Sequence, residues 1–210
     1  MTAIDPTAER NARAHQYSQE GRGDLAIPLF EEVLADRVRV LGTDHPDTLA
    51  SRNNLAGAYW SAGRVGEAIP LFEEVLAERV RVLGPDHPDT LASRNNLAYA
   101  YQAAGRLDEA IPLFEEVLAD RVRVLGPDHP HTLTSRNNLA YAYYAAGRLD
   151  EAIPLYEQVL ADSVRVLGDD HPQTLTSRNN LAYAYQAAGR LGEAIPLFEE
   201  VLADRVRVLG

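Results

Sequence analysis

Apolar residues in this chain fall at helical spacing, break at a glycine, resume and break again, and the whole cycle recurs every forty-two residues. Between Asp89 and Gly105 the recurring positions are Leu91, Leu97, Ala98, Tyr101 and Ala104; between Asp108 and Leu125 they are Ala110, Ile111, Phe114, Val117, Leu118, Val122 and Leu125. Each set lies on one face of a helix. Asp89 or Thr90 is expected to cap the first helix and Gly105 to stop it. Asp108 and Glu109 suit the N-terminus of the second, Arg121 and Arg123 its C-terminus, and Gly126-Pro127 ends it. Pro112 is expected to sit about four residues into the second helix, where backbone donors have little intrahelical partnership to lose. A turn at Gly105-Arg106 then gives one antiparallel helix pair per cycle.

Leu41-Gly42, Leu83-Gly84, Leu125-Gly126, Leu167-Gly168 and Leu209-Gly210 divide the 210 residues into units 1–42, 43–84, 85–126, 127–168 and 169–210. A hairpin of this size cannot bury its apolar face alone, so successive units are expected to stack as one solenoid domain. The first unit carries Arg13 where the others carry Leu55, Leu97, Leu139 and Leu181, which predicts an N-terminal capping repeat over 1–42. The fifth ends in Phe198, Val201, Leu202, Val206 and Leu209 on a helix of interior type. That apolar face predicts weak homo-oligomers, unless further chain covers it.

The motif Asn-Leu-Ala-x-x-Tyr-x-x-x-Gly-Arg followed by Glu-Ala-x-x-Leu-Phe resembles the tetratricopeptide repeat, with Leu97, Ala98, Tyr101, Gly105, Ala110 and Phe114 in the signature positions. The forty-two-residue length, the paired Asn95-Asn96 and the Leu-Gly-Pro-Asp-His-Pro connector are similar to the kinesin light chain subtype. The resemblance implies an all-α, right-handed superhelical solenoid of five antiparallel helix pairs. In it the first helices make the concave wall, the second helices make the convex wall, and the array binds protein partners.

Composition narrows the chemistry. A net charge of -11 offers no positive field to gather phosphates, so neither nucleic acid nor an anionic membrane is an expected partner. The chain has no Cys, and each of its 20 basic Lys-or-Arg positions is Arg. Thiolate, Schiff-base and Walker-type phosphate chemistry therefore drop out. The start lacks an apolar signal region and no run of residues is apolar enough to span a bilayer, which together suggest a cytoplasmic protein. His45, His87, His129 and His171 sit a whole repeat apart, too far to share one ion, and are read as turn and capping residues. No metal, cofactor or catalytic set is expected.

Near-identical units let the differing positions speak. In units two to five the first helix differs at Ala50/Ala92/Thr134/Thr176, Gly57/Tyr99/Tyr141/Tyr183, Trp60/Gln102/Tyr144/Gln186 and Ser61/Ala103/Ala145/Ala187, a single helical face. Asn53, Asn95, Asn137 and Asn179 lie on the same stripe. By the family's geometry this stripe lines the groove, with Trp60, Tyr99, Tyr141, Tyr144 and Tyr183 on it and Arg94, Arg136 and Arg178 at its border. A carboxamide can donate to and accept from a peptide backbone, and aromatic rings add apolar area at low entropic cost. The other reading of these residues is structural, with the Asn side chains bonded to neighbouring helices and the tyrosines filling gaps between repeats.

The chain is accordingly read as a non-enzymatic scaffold that holds a protein or extended peptide. The alternatives are a structural or regulatory segment of a larger signalling assembly, and an idealised or recently duplicated repeat scaffold without an evolved ligand.

Overall fold

The structure is a computed structural model that describes residues 6–209, with side chains described for 7–203. Among the described residues there are ten helices and no strand. They are α1 (Pro6–Gln19), α2 (Gly23–Leu41), α3 (Pro46–Ser61), α4 (Val65–Leu83), α5 (Pro88–Ala103), α6 (Leu107–Leu125), α7 (Pro130–Ala145), α8 (Leu149–Leu167), α9 (Pro172–Ala187) and α10 (Leu191–Leu209). Their contacts group into two compact units, Met1–Ala110 and Ile111–Gly210. In the first unit, α1 packs on α2, α2 on α3, α3 on α4 and α4 on α5. In the second, α7 packs on α8, α8 on α9 and α9 on α10.

Local chemistry sets the helix ends. The cap of α5 is His87 rather than Asp89 or Thr90: its Nδ1 accepts the Asp89 N–H at 3.2 Å, and Pro88 takes the first helical position. Proline has no N–H to satisfy there and its fixed φ suits the site, which puts the cap two residues upstream of Asp89. His45, His129 and His171 repeat the arrangement. Thr90 instead donates its hydroxyl to the Gly84 carbonyl at 2.8 Å, tying the helix start to the preceding connector.

The turn between paired helices is a Schellman closure. At the end of α3 the Arg64 N–H reaches the Tyr59 carbonyl at 2.8 Å and Gly63 has φ +74. Gly105 has φ +73 in the same place, a conformation that a Cβ disfavours. The internal proline lies deeper than expected: Pro112 is the sixth residue of α6, not the fourth. Its ring therefore removes one helical hydrogen bond. It is exposed, as are Pro70 and Pro154.

The core of the first unit joins Ala14, Ala26, Ile27, Phe30, Leu55 and Ala58. In the second unit Leu139, Ala140, Ala152, Ile153, Tyr156, Leu181 and Ala182 are buried. Polar ties cross between successive hairpins. Tyr59 donates to Glu31 and Tyr101 to Glu73, each at 2.6 Å, while in the second unit Tyr143 donates to Glu115 and Tyr185 to Glu157. A second tie runs from Arg79 in α4 to the Asp89 carbonyl and the Ser93 hydroxyl at the start of α5, at 3.0 and 2.7 Å. Arg37 and Arg121 form equivalents, but in α8 the position is Ser163, which meets only Ser177 at 3.4 Å.

At α10 the structure corrects the expected self-association face. Val201 is buried, like Val33, Val75, Val117 and Val159, because elements preceding it in the chain already cover this position. Phe198 is half-buried and Leu202 is open, while the side chains of Val206 and Leu209 lie outside the described residues. The open apolar positions include two that were not foreseen, Leu191 and Ile195.

Candidate functional site

The first-helix stripe of the first unit brings several of the expected residues together. Asn53, Trp60 and Tyr99 line one open pocket of about 330 Å³, together with Phe72. Trp60 is exposed and Tyr99 half-buried. The Asn96 amide donates to the Asn53 Oδ1 at 3.2 Å, bridging α5 to α3. In the second unit the Asn180 amide donates to the Asn137 Oδ1 at 3.0 Å, bridging α9 to α7. The structural reading of the asparagines thus holds for the carbonyls of Asn53 and Asn137. Their own amide donors are not used by these bonds.

Tyr141 and Tyr183 are about half exposed, at 50% and 49%, so they do not merely fill gaps between helices. Tyr141 stacks on half-buried Tyr144, with ring centroids 6.3 Å apart. Tyr183 packs edge-on against Phe198. Asn95 and Asn179 are half-buried.

The arginines depart from the expected border position. Arg94, Arg136 and Arg178 are all at least nine-tenths buried. Arg136 pairs with Asp162 of α8, and Arg178 with Glu200 of α10 at 3.2 Å. These two span the two helices of one hairpin, stem buried and guanidinium matched to a carboxylate. Periodicity marks such residues as polar and cannot show that their charge is neutralised inside.

A different cation series sits at the hairpin turns. Arg64 stacks over Tyr59 at 4.6 Å and Arg106 over Tyr101 at 4.4 Å, and each also pairs with the glutamate three residues on. Burial, then the Glu73 hydrogen bond, pushes the Tyr101 phenol up to about 12. Tyr143 and Tyr185 rise to about 12 for the same reasons. Phenols held this firmly in the protonated form act as hydrogen-bond donors and are not suited to base chemistry.

Sequence reasoning also missed His15, Phe30 and Phe72 as contributors to the pocket. Gly57 stood out among the differing positions, but its consequence depends on which rings surround it. Among the described residues no group of three or more His, Asp or Glu is placed to hold a metal ion. No helix among them is long and apolar enough to cross a membrane.

Helical hairpins repeated at a fixed period, with polar and aromatic residues displayed on the first helices, define an all-α repeat protein of the solenoid class. The tetratricopeptide repeat family matches residues 6–77, 52–121, 94–163 and 137–205, and the chain belongs to it. Repeats of this family generally serve as protein-interaction scaffolds. The nearly identical TPR-like repeats of a Podosopora anserina protein assigned as a kinesin light chain are 40% identical, with a TM-score of 0.88 over 98% of this chain and 99% of that one. A substituted variant of those repeats is 38% identical, with a TM-score of 0.89 and 99% of each chain covered. BtubC from P. vanneervenii shares the fold at 21% identity and a TM-score of 0.78, over 99% of this chain and 94% of that one. No curated protein matches the chain.

Proposed function

We propose that the chain is a non-catalytic scaffold that binds a protein partner through an extended peptide laid on the exposed faces of its first helices. The observation that carries this reading is the carboxamide bridge. Asn53 and Asn137 are each fixed by one accepted hydrogen bond, which orients the side chain while leaving its two amide hydrogens for a peptide carbonyl. Exposed rings stand on the same helices, Trp60 lining the same pocket as Asn53 and Tyr141 four residues after Asn137. Asn95 and Asn179 extend the amide set, and Tyr99, Tyr144 and Tyr183 supply further apolar contact. Arg136 and Arg178 tie together the helices that carry the site, and Arg94 is buried like them, so the three arginines have no direct part in it.

Selection from a random peptide library tests the reading. Binders are expected to lose about 1 kcal/mol on Asn137→Ala and about 2 kcal/mol on Tyr141→Ala. Binders indifferent to both substitutions would remove the assignment.

A second contact is favoured by Ile195. It is 53% exposed, whereas Ile27, Ile69, Ile111 and Ile153 are each 5% exposed at the equivalent position. With Leu191 and Leu202 it forms an apolar surface suited to weak pairing with a second copy of this chain. Light scattering should show concentration-dependent association that Ile195→Glu abolishes. A strict monomer at high concentration excludes it.

A further inference from the structure

Gly57 occupies a position at which the other first helices carry a ring: His15, Tyr99, Tyr141 and Tyr183. Two of those rings show what the position does. His15 packs edge-on against Phe30, with centroids 5.0 Å apart and planes at 79°, and Tyr183 packs edge-on against Phe198 at 5.1 Å and 73°. Phe72 is the equivalent of Phe30 and Phe198, and it has no such ring over it from Gly57. In its place is the pocket of about 330 Å³, lined by Phe72, Trp60, Tyr99 and Asn53.

The backbone does not ask for glycine here. Gly57 lies inside α3 without a positive φ, and a Cβ built on it meets nothing within 4 Å. Glycine inside a helix costs stability, so the local structure gains nothing from it. No carboxylate and no guanidinium lines the pocket. A charged occupant would lose hydration there without a carboxylate or guanidinium to meet it, whereas an uncharged ring can pack on Phe30, Phe72, Trp60 and Tyr99 beside the amides of Asn53, Asn54 and Asn96.

We infer that this pocket takes an aromatic side chain from the bound partner, seated edge-on against Phe72 as His15 sits against Phe30. It supplies the anchor that sets specificity for the first unit. The inference rests on the scaffold reading only for the source of the ring, since the pocket itself belongs to this chain.

Trp60 is the single tryptophan of the chain and lines the pocket, so its emission reports on this site alone. The test is a titration with N-acetyl-phenylalaninamide, which does not absorb where tryptophan is excited, alongside the leucine and glutamate analogues. The phenylalanine compound should change Trp60 emission saturably, the leucine compound should bind more weakly, and the glutamate compound should have no effect. Gly57→Tyr, which restores the ring of the sister helices, should weaken binding by at least about tenfold with helix content and melting temperature maintained. Gly57→Ala should leave binding in place. If Gly57→Tyr lowers helix content, Gly57→His supplies the ring found in α1.

No saturable response, equal binding of the leucine and phenylalanine compounds, or an undiminished response in the ring-filled variant would overturn the inference. Library peptides that bind with affinity indifferent to Gly57→Tyr would also overturn it while leaving the scaffold reading intact. Binding of the phenylalanine compound as described, with no library peptide bound, would uphold the pocket and defeat the scaffold reading.

Discussion

The Tyr101 hydroxyl donates to the Glu73 carboxylate at 2.6 Å, joining the first helix of one hairpin to the second helix of the hairpin before it. The same ring carries the Arg106 guanidinium on its face. One side chain therefore links the preceding hairpin to the turn that ends its own helix. Because Tyr101 is only partly buried, its loss should be moderate. Tyr101→Phe is expected to cost about 1 kcal/mol in a denaturant titration. A variant as stable as the parent would show that the bond merely replaces one made to water.

These tyrosines also predict how stability varies with pH. Tyr101, Tyr143 and Tyr185 have phenols pushed up to about 12 by burial and by hydrogen bonds to Glu73, Glu115 and Glu157. An unfolded phenol titrates near about 10. The folded state therefore keeps its protons longer, and this contribution is complete below about pH 10 and lost as pH rises toward about 12. Melting temperatures should fall through that interval, and replacing all three residues with Phe should flatten the decline. An equal decline in the triple variant would assign the alkaline loss to other groups.

The joint between α8 and α9 lacks the arginine tie present at Arg37, Arg79 and Arg121. Ser163 and Ser177 are both buried and meet at only 3.4 Å. Ser163→Arg should recover hydrogen bonds to the Gln173 carbonyl and the Ser177 hydroxyl. A net gain of about 1 kcal/mol is expected after the cost of burying the charge. Amide exchange in α9 and α10 should slow accordingly. Faster exchange there would mean that this joint has packed around the smaller side chain.

Gly105 gives a simpler expectation. Its φ is +73, and a Cβ built on it meets nothing within 4 Å, so any penalty comes from the backbone alone. Gly105→Val should destabilise by about 1 kcal/mol or more in thermal or chemical unfolding. An unchanged midpoint would contradict the left-handed turn.

The hairpins were legible because Leu97, Ala98, Tyr101 and Phe114 keep their spacing across near-copies, and one period fixed both helices of each unit. Helix caps were less legible, since Asp-His-Pro-Asp-Thr offers several neighbouring residues whose side chains can cap a helix start, and only the proline's position decides in favour of His87. The buried arginines were hidden for another reason. A polar letter on a helix face does not reveal that Arg136 meets Asp162, because that pairing depends on how two helices cross. Half of the asparagine chemistry was visible as a stripe of amides, while the bond from Asn96 to Asn53 requires the register between successive first helices. Gly57 was visible as a difference, but the pocket it opens depends on Phe72, Trp60 and Tyr99 converging from other positions.

The central claim is that a partner peptide lies against the first helices and is held there by their amides. Its most direct measurement is an NMR titration of a selected peptide against the side-chain amide signals of Asn53, Asn95, Asn137 and Asn179. Saturable shifts of these signals are expected, with the indole N–H of Trp60 moving in parallel and the backbone of α2, α4, α8 and α10 little affected. Shifts confined to the second helices, with the asparagine amides unmoved at saturation, would contradict the claim.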